Sequence, residues 1–392
     1  MNSVQLVNLI LCQMFIKTAK NLKFDLMKRI SLIYALFFML LSMWVEAKDF
    51  NYIFLKGMGG YNCFRIPAIV KAANGNLVAF AEARKKSCSD TGDIDLVMRS
   101  SNDGGMTWSE LNVLWDDGDI VCGNPAPVVE QASGKIFLLL TWNLGSDHER
   151  DIIAQKSEDT RRVYVTHSED NGKTWYKPAE ITSTTKKPNW TWYATGPVHG
   201  IQLKNNEKYS GRMIIPCDHI EAETKHYYSH IIYSDDQGKS WNLGGSTPQH
   251  QVNECAIVEL ENGDLMLNMR NYDRDNKNRK VSISSDGGMT WSNLKDDESL
   301  IEPICQGSLL SNDNELFFLN PANQESRENM TLKRSQDQGE SWTDEITINK
   351  GPSAYSDMVM INDQHIGLLY EGGIDSPYEG IAFEIVNVSD FE

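Results

Sequence analysis

Five aspartates recur in one eight-residue setting, Ser-x-Asp-x-Gly-x-Thr/Ser-Trp, at Ser101–Trp108, Ser168–Trp175, Ser234–Trp241, Ser284–Trp291 and Ser335–Trp342. Carboxylates repeated in this way could hold metal ions or move protons. Their neighbours favour a structural use. Asp accepts bonds from backbone amides a few residues ahead, Gly supplies a left-handed position, and Trp folds back as an apolar plug. Each of these aspartates, from Asp103 to Asp337, is expected to build a turn, so the chemistry must lie elsewhere. Cysteine gives no metal signal: Cys63, Cys88, Cys122, Cys217, Cys255 and Cys305 are scattered, with no C-x-x-C pair. Some could pair in an exported protein, and others could be free buried thiols.

Charge narrows the ligand class. Met27-Lys28-Arg29, the apolar run Ile30 to Val45 and Val45-Glu46-Ala47 have the form of a secretory signal peptide cleaved after Ala47. The run is short for a membrane span, and residues 1–26 read as an over-long start with Met27 as initiator. Of 37 basic and 54 acidic residues, the first 47 positions hold five and two, which leaves residues 48–392 with a net charge of −20. Such a surface repels nucleic acid and anionic lipid. A specific anionic ligand would need a local cluster of arginines. The chain is expected to be exported, whether periplasmic, surface-held or secreted, and monomeric, with no membrane span once processed.

The repeats also define the elements that must position any site. Their Ser positions differ by 67, 66, 50 and 51 residues. Repeats at such intervals mark repeated supersecondary units. The 345 residues after the leader correspond to about six units, because the flanks before the first repeat and after the last are each near one unit long. Short apolar runs such as Leu77–Phe80, Ile136–Leu140, Met213–Ile215 and Leu316–Leu319 are bounded by turn chemistry, as at Asn74-Gly75-Asn76 and Glu261-Asn262-Gly263-Asp264. Four short strands per unit predict an all-β, six-bladed β-propeller in one domain, 48–392, behind an upstream segment, 1–47.

The repeats resemble the Asp boxes of sialidases. Phe64-Arg65-Ile66-Pro67, upstream of the first box, is similar to the F/Y-R-I-P motif of that family. The resemblance runs from about Tyr61 to the C-terminus and is nearest to bacterial exo-α-sialidases. It implies release of terminal sialic acid from the glycans of glycoproteins or glycolipids, with retention of configuration and without a metal or other cofactor. Sialic acid carries a carboxylate on its anomeric carbon, which calls for bidentate arginine. The three arginines implied are Arg65, Arg270 in Leu-Asn-Met-Arg-Asn, and Arg327 in Asn-Gln-Glu-Ser-Arg. Sialidases with a tyrosine nucleophile depart from the two-carboxylate scheme of most glycosidases. The matching tyrosine is Tyr355 in Gly-Pro-Ser-Ala-Tyr-Ser-Asp, with Glu254 as its base.

Asp90 is the acid/base expected from the resemblance, with Asp93 and Asp95 as nearby rivals. Glu371 resembles the glutamate that fixes the first arginine, and Arg84 an additional arginine near the sugar 4-hydroxyl. Asn124 stands where some relatives have aspartate, so its part is open beyond binding a hydroxyl. Arg212, Arg279 and Arg334 are expected to be solvated surface charges. Trp115 and Trp142 are candidates for an apolar wall, with buried packing the better expectation for each. A trans-sialidase, including the intramolecular kind, would share every residue named. A sialic-acid lectin would keep the arginines but lose the tyrosine, acid or base.

Overall fold

The computed structural model describes residues 48–391 and, before them, residues 13–18, 20, 23, 27 and 28, all helical. Apart from Met27 and Lys28, the expected signal peptide lies outside the described residues. Among these residues no helix is long and apolar enough to cross a membrane. Met1–Asp49 and Phe50–Glu392 separate as two units.

The second unit, Phe50–Glu392, is a six-bladed β-propeller. Blade 1 consists of Cys63–Lys71, Leu77–Arg84, Ile94–Ser101 and Asn112–Trp115, and blade 2 of Ile120–Val129, Ile136–Leu144, Arg162–Ser168 and Ala179–Glu180. Blade 3 has Trp190–Thr195, Met213–Glu221, Tyr227–Ser234 and Asn242–Ser246, with Ile201–Gln202 beside its second strand. Blade 4 has Val252–Glu259, Leu265–Asn271, Asn278–Ser284 and Lys295–Ile301. Blade 5 starts with Ser308–Asn312, Glu315–Pro321 and Glu328–Ser335. Its fourth strand is the first half of the long strand Asp344–Asn362, which pairs with Glu328–Ser335 as far as Pro352 and with His365–Gly372 from Ser353 onward. The second half opens blade 6, continued by His365–Gly372 and Gly380–Asn387. The fourth strand of blade 6 is Tyr52–Leu55, antiparallel to Gly380–Asn387. The N-terminal strand thus closes the ring.

Apolar side chains fill the spaces between blades. One cluster lies at each of the six junctions; Phe64, Leu77 and Ala79 meet Leu369, Ile381 and Phe383 at the closure, and Val78, Phe80 and Leu96 meet Ile136 and Leu138 between blades 1 and 2. Both faces of each sheet are covered, so its strands read as apolar runs rather than strict alternation. First strands of successive blades pack around a common axis, with blade 6 against blade 1; the exception is blade 3, which meets the first strand of blade 4 through Met213–Glu221 and Ile201–Gln202 instead.

The eight-residue repeat connects the third and fourth strands of blades 1 to 5. Blade 6 has no such connection, because its fourth strand comes from the other end of the chain; this is why five repeats serve six blades. In the first repeat Asp103 Oδ1 accepts from Ser101 Oγ at 2.7 Å and Thr107 N at 2.9 Å, and Ser101 Oγ accepts from Gly105 N at 2.8 Å. The other four share this wiring. Each tryptophan enters the cluster shared with the preceding blade, as Trp108 against Phe383 and Trp175 against Phe80. The repeat is therefore a fastener between blades as well as a turn.

Gly238, at φ +81°, illustrates the constraint: a Cβ there would lie 2.1 Å from Phe137 Cζ of blade 2. Gly211, at φ +87°, has nothing within 4 Å. Gly238→Ala is expected to cost roughly 2–4 kcal/mol, overpacking added to left-handed strain, against about 1 kcal/mol for Gly211→Ala. Thermal unfolding of the two variants checks this, and equal losses would contradict it.

Candidate active site

First strands begin and second strands end at the same end of the ring, and there all six blades line a cavity of about 330 Å³. Four of its walls lie in register breaks. The pairing slips between Arg65 and Ala68, Gly123 and Ala126, Val252 and Cys255, and Ser353 and Ser356. Arg65, Asn124, Glu254 and Tyr355 sit at or within these bulges, which re-aim side chains toward the axis. Ile66 and Asn124 take positive φ, 59° and 53°. Each precedes a proline, which lacks the N–H that a regular ladder would use.

The arginines expected at distant positions meet here. Arg65 is buried and forked onto Glu371: Nε donates to Oε1 at 3.1 Å and Nη2 to Oε2 at 3.3 Å. Glu371 lies behind the cavity wall and also accepts from Ile66 N at 2.8 Å and Tyr355 N at 3.2 Å. Arg270 Nη1 donates to Glu254 Oε2 at 2.6 Å and to Tyr355 Oη at 3.0 Å. Arg327 Nη1 donates to Tyr378 Oη at 3.0 Å, and its guanidinium lies 5.5 Å from the Tyr355 ring centroid.

The Tyr355 hydroxyl reaches both oxygens of Glu254, at 2.7 and 2.9 Å. Burial, then the Glu254 charge, raise the phenol pKa well above its ordinary value, so the hydroxyl holds its proton at rest. Arg270, Arg327 and Arg65 act in the opposite sense and would stabilise a developing phenolate. Across the cavity Asp90 Oδ1 lies 2.8 Å from Arg84 Nη1 and 3.4 Å from Arg65 Nη1. Burial alone would raise the Asp90 pKa, but the Arg84 and Arg65 charges outweigh it and hold it below the usual carboxylate value. Arg84 is itself fixed by Glu82 Oε2, at 2.6 Å from Nη2 and 3.1 Å from Nε. Such an arrangement can grip an anion, supply a proton from one side and a nucleophilic oxygen from the other.

Eight of the nine expected residues line the cavity, and Glu371 stands behind it. Asp93 and Asp95 instead surround the Lys85 ammonium, at 3.0 and 3.2 Å, outside the cavity. Trp115 packs against Tyr164, and Trp142 donates to Asp117; neither lines the cavity. Two of the arginines expected at the surface are buried: Arg279 pairs with Glu302 at 2.7 Å and Arg212 with Asp235 at 2.8 Å. Arg334, partly buried, pairs with Asp344. Cys63 and Cys88 form a disulfide that ties the Asp90 loop to blade 1, while Cys122, Cys217, Cys255 and Cys305 are free and buried.

Sequence reasoning missed Glu82, Arg161, Trp192, Asp218, Tyr272 and Tyr378, all of which line the cavity. The i, i+2 spacing of Glu82 and Arg84 on a strand was a usable signal. The Asn124 side-chain oxygen is engaged by Arg161 Nη2 and by Thr141 Oγ1.

The BNR repeat-like domain matches residues 75–370. A sialidase of Bacteroides fragilis is 30% identical over 352 residues, covering 83% of this chain and 62% of that protein. An exo-alpha-sialidase of Aspergillus fumigatus is 30% identical over 345 residues, covering 80% and 79%. The chain spans 62% and 52% of the B. fragilis and Micromonospora viridifaciens sialidases, so each has length that this chain does not match. Among solved structures, the Hadza microbial sialidase Hz136 is similar with a TM-score of 0.76 at 27% identity, over 85% of this chain and 67% of that one. The intramolecular trans-sialidase of Ruminococcus gnavus shares the fold with a TM-score of 0.73 at 17% identity, over 87% and 98%. The chain belongs to the sialidase family.

Replacing Glu371 by Leu would leave the Arg65 guanidinium buried without its partner and two amides without an acceptor. The expected loss is about 3–5 kcal/mol in denaturant unfolding, with a smaller loss for Glu371→Gln. A Leu variant as stable as the parent would contradict the bridging role.

Proposed function

We propose that this chain is an exo-α-sialidase that removes terminal sialic acid from the glycans of glycoproteins or glycolipids and retains configuration. The observation that carries the proposal is the contact of Tyr355 Oη with both Glu254 oxygens inside a cavity shared by three arginines. Family membership supports the substrate class. Arg65, Arg270 and Arg327 hold the sugar carboxylate. Asp90 gives a proton to the glycosidic oxygen as its bond to the anomeric carbon breaks. Tyr355 Oη bonds to that carbon, and its proton passes to Glu254. A carboxylate nucleophile would meet like-charge repulsion from the adjacent acid group, whereas a phenol approaches neutral.

In the second step Asp90 takes a proton from water, and the water oxygen attacks the anomeric carbon. The bond to Tyr355 breaks, and the phenolate recovers its proton from Glu254. Two displacements at one carbon keep the configuration. Action outside the cytoplasm belongs to the same proposal, supported by the signal-peptide pattern and by the Cys63–Cys88 bond.

Incubation with 3′- and 6′-sialyllactose, with products identified by mass, tests the activity: free sialic acid is expected. An anhydro sugar would make the chain an intramolecular trans-sialidase, and transfer to added lactose a trans-sialidase. Tyr355→Phe is expected to lower turnover by roughly a thousandfold or more while the 2,3-unsaturated sialic acid analogue still binds. Native turnover in that variant would remove Tyr355 from the nucleophile role.

The Asp90 environment sets the pH dependence. A general acid must be protonated, so rate declines as pH rises through its pKa. In the free protein the arginines depress that value. Bound substrate carboxylate offsets the Arg65 charge and raises it. The alkaline decline of kcat is therefore expected at higher pH than that of kcat/KM; coincident limbs would contradict the coupling.

A further inference from the structure

The proton donor of the proposed mechanism sits on an irregular loop. Residues 86–92 form neither helix nor strand, and Lys86, Ser87 and Ser89 on it are exposed. The base of the loop is closed without covalent help. Lys85 N donates to Asp93 O at 3.1 Å, and Lys85 Nζ lies 3.0 Å from Asp93 Oδ1. Asn62 Nδ2 donates to the carbonyl oxygens of Lys85 and Lys86 at 3.1 and 3.0 Å. On the far side Gly92 N donates to Gly145 O at 2.9 Å. What these contacts leave loose is the tip, where Asp90 lies. Ser89 Oγ and Thr91 Oγ1, 2.9 Å apart, bond to each other within the tip.

The Cys63–Cys88 bond reaches that tip. Its two α-carbons are 5.3 Å apart, across a sequence separation of 25 residues. Cys63 is fully buried on the first strand of blade 1, paired in register with Arg84 on the second. Arg84 Nη1 in turn donates to Cys88 O at 2.6 Å and lies 2.8 Å from Asp90 Oδ1. Cys63 stands two residues before Arg65, and Cys88 two before Asp90. One short covalent path therefore links an arginine of the carboxylate grip to the acid that must meet the leaving oxygen. Ion pairs near solvent are weak restraints by themselves. Proton transfer needs the acid within hydrogen-bond reach of that oxygen, and a shift of about 1 Å can cost roughly a hundredfold.

We infer that the Cys63–Cys88 bond is a positioning element for acid catalysis, holding the Asp90 loop against blade 1 so that the carboxyl meets the glycosidic oxygen. This rests on the sialidase proposal and deepens it. The bond crosses no junction between blades, and the loop base has its own contacts, so the propeller is expected to fold without it.

The test compares two leaving groups on one sugar. A nitrophenyl sialoside releases a phenolate that needs no proton, whereas sialyllactose releases a sugar hydroxyl that must receive one. For both, kcat/KM reports the first, bond-breaking step; the lactoside is whichever of the 3′ and 6′ isomers the parent cleaves faster. In Cys63→Ala/Cys88→Ser, kcat/KM for sialyllactose is expected to fall by about thirtyfold or more, and that for the aryl sialoside by about threefold or less. The 2,3-unsaturated sialic acid analogue is expected to bind within about threefold of its affinity for the parent. Equal falls on both substrates, no fall on either, or inhibitor binding that weakens as much as the sialyllactose rate overturns the inference and leaves the sialidase proposal standing. A parent that cleaves the aryl sialoside alone does the same. If the double variant does not fold, Cys88→Ser is read by the same ratio; a chain that folds with neither change assigns the bond to the fold and overturns the inference. A parent that cleaves neither substrate overturns the sialidase proposal and this inference with it.

Discussion

The Glu371 carboxylate joins the two ends of the propeller. It receives the guanidinium fork of Arg65 and the Ile66 amide from blade 1, together with the Tyr355 amide from blade 6. Ring closure and site geometry thus depend on the same buried anion. Burying one carboxylate and one guanidinium is costly, and the pairing repays it only because four hydrogen bonds converge with good geometry. The consequence is a fixed relation between a cation that can hold an acid group and a phenol 5.0 Å away, measured from the Arg65 guanidinium carbon to the Tyr355 ring centroid.

Fold and site make opposite demands on the inner strands. Regular pairing would point side chains alternately into the two inter-blade clusters. At the cavity end the ladders slip, and the slips expose Arg65, Asn124, Glu254 and Tyr355 to the axis. Further along, the same strands return to register and bury Ile69, Val128, Ile257 and Met358. The repeats at the outer connections fasten five of the six junctions and so leave the inner ends free to be irregular.

Much of this was legible in the chain. Blade number followed from repeat spacing and flank length, and the missing sixth repeat has a topological cause that spacing alone did not reveal. The arginines, Tyr355, Glu254 and Asp90 were recognisable because each sits in a motif that resembles those of the family. Burial was not legible for Arg279 and Arg212, since a lone arginine in a strand reads as a surface charge until its partner is known. Asp218 was invisible for a related reason: within Ile-Ile-Pro-Cys-Asp-His-Ile it looks like an interruption in a core strand. Its environment comes from Ala194, Trp192 and Arg161, which no local pattern connects.

The account turns on a tyrosine oxygen forming the bond to the sugar. A 3-fluorosialyl fluoride slows the second step more than the first and should leave the intermediate on the protein. Proteolysis and mass spectrometry of the inactivated chain would then locate the sugar. The expected result is one added fluorosialyl group on the peptide that contains Tyr355, at the tyrosine oxygen; a label on Glu254 or Asp90, or continued turnover with no label, would contradict the account.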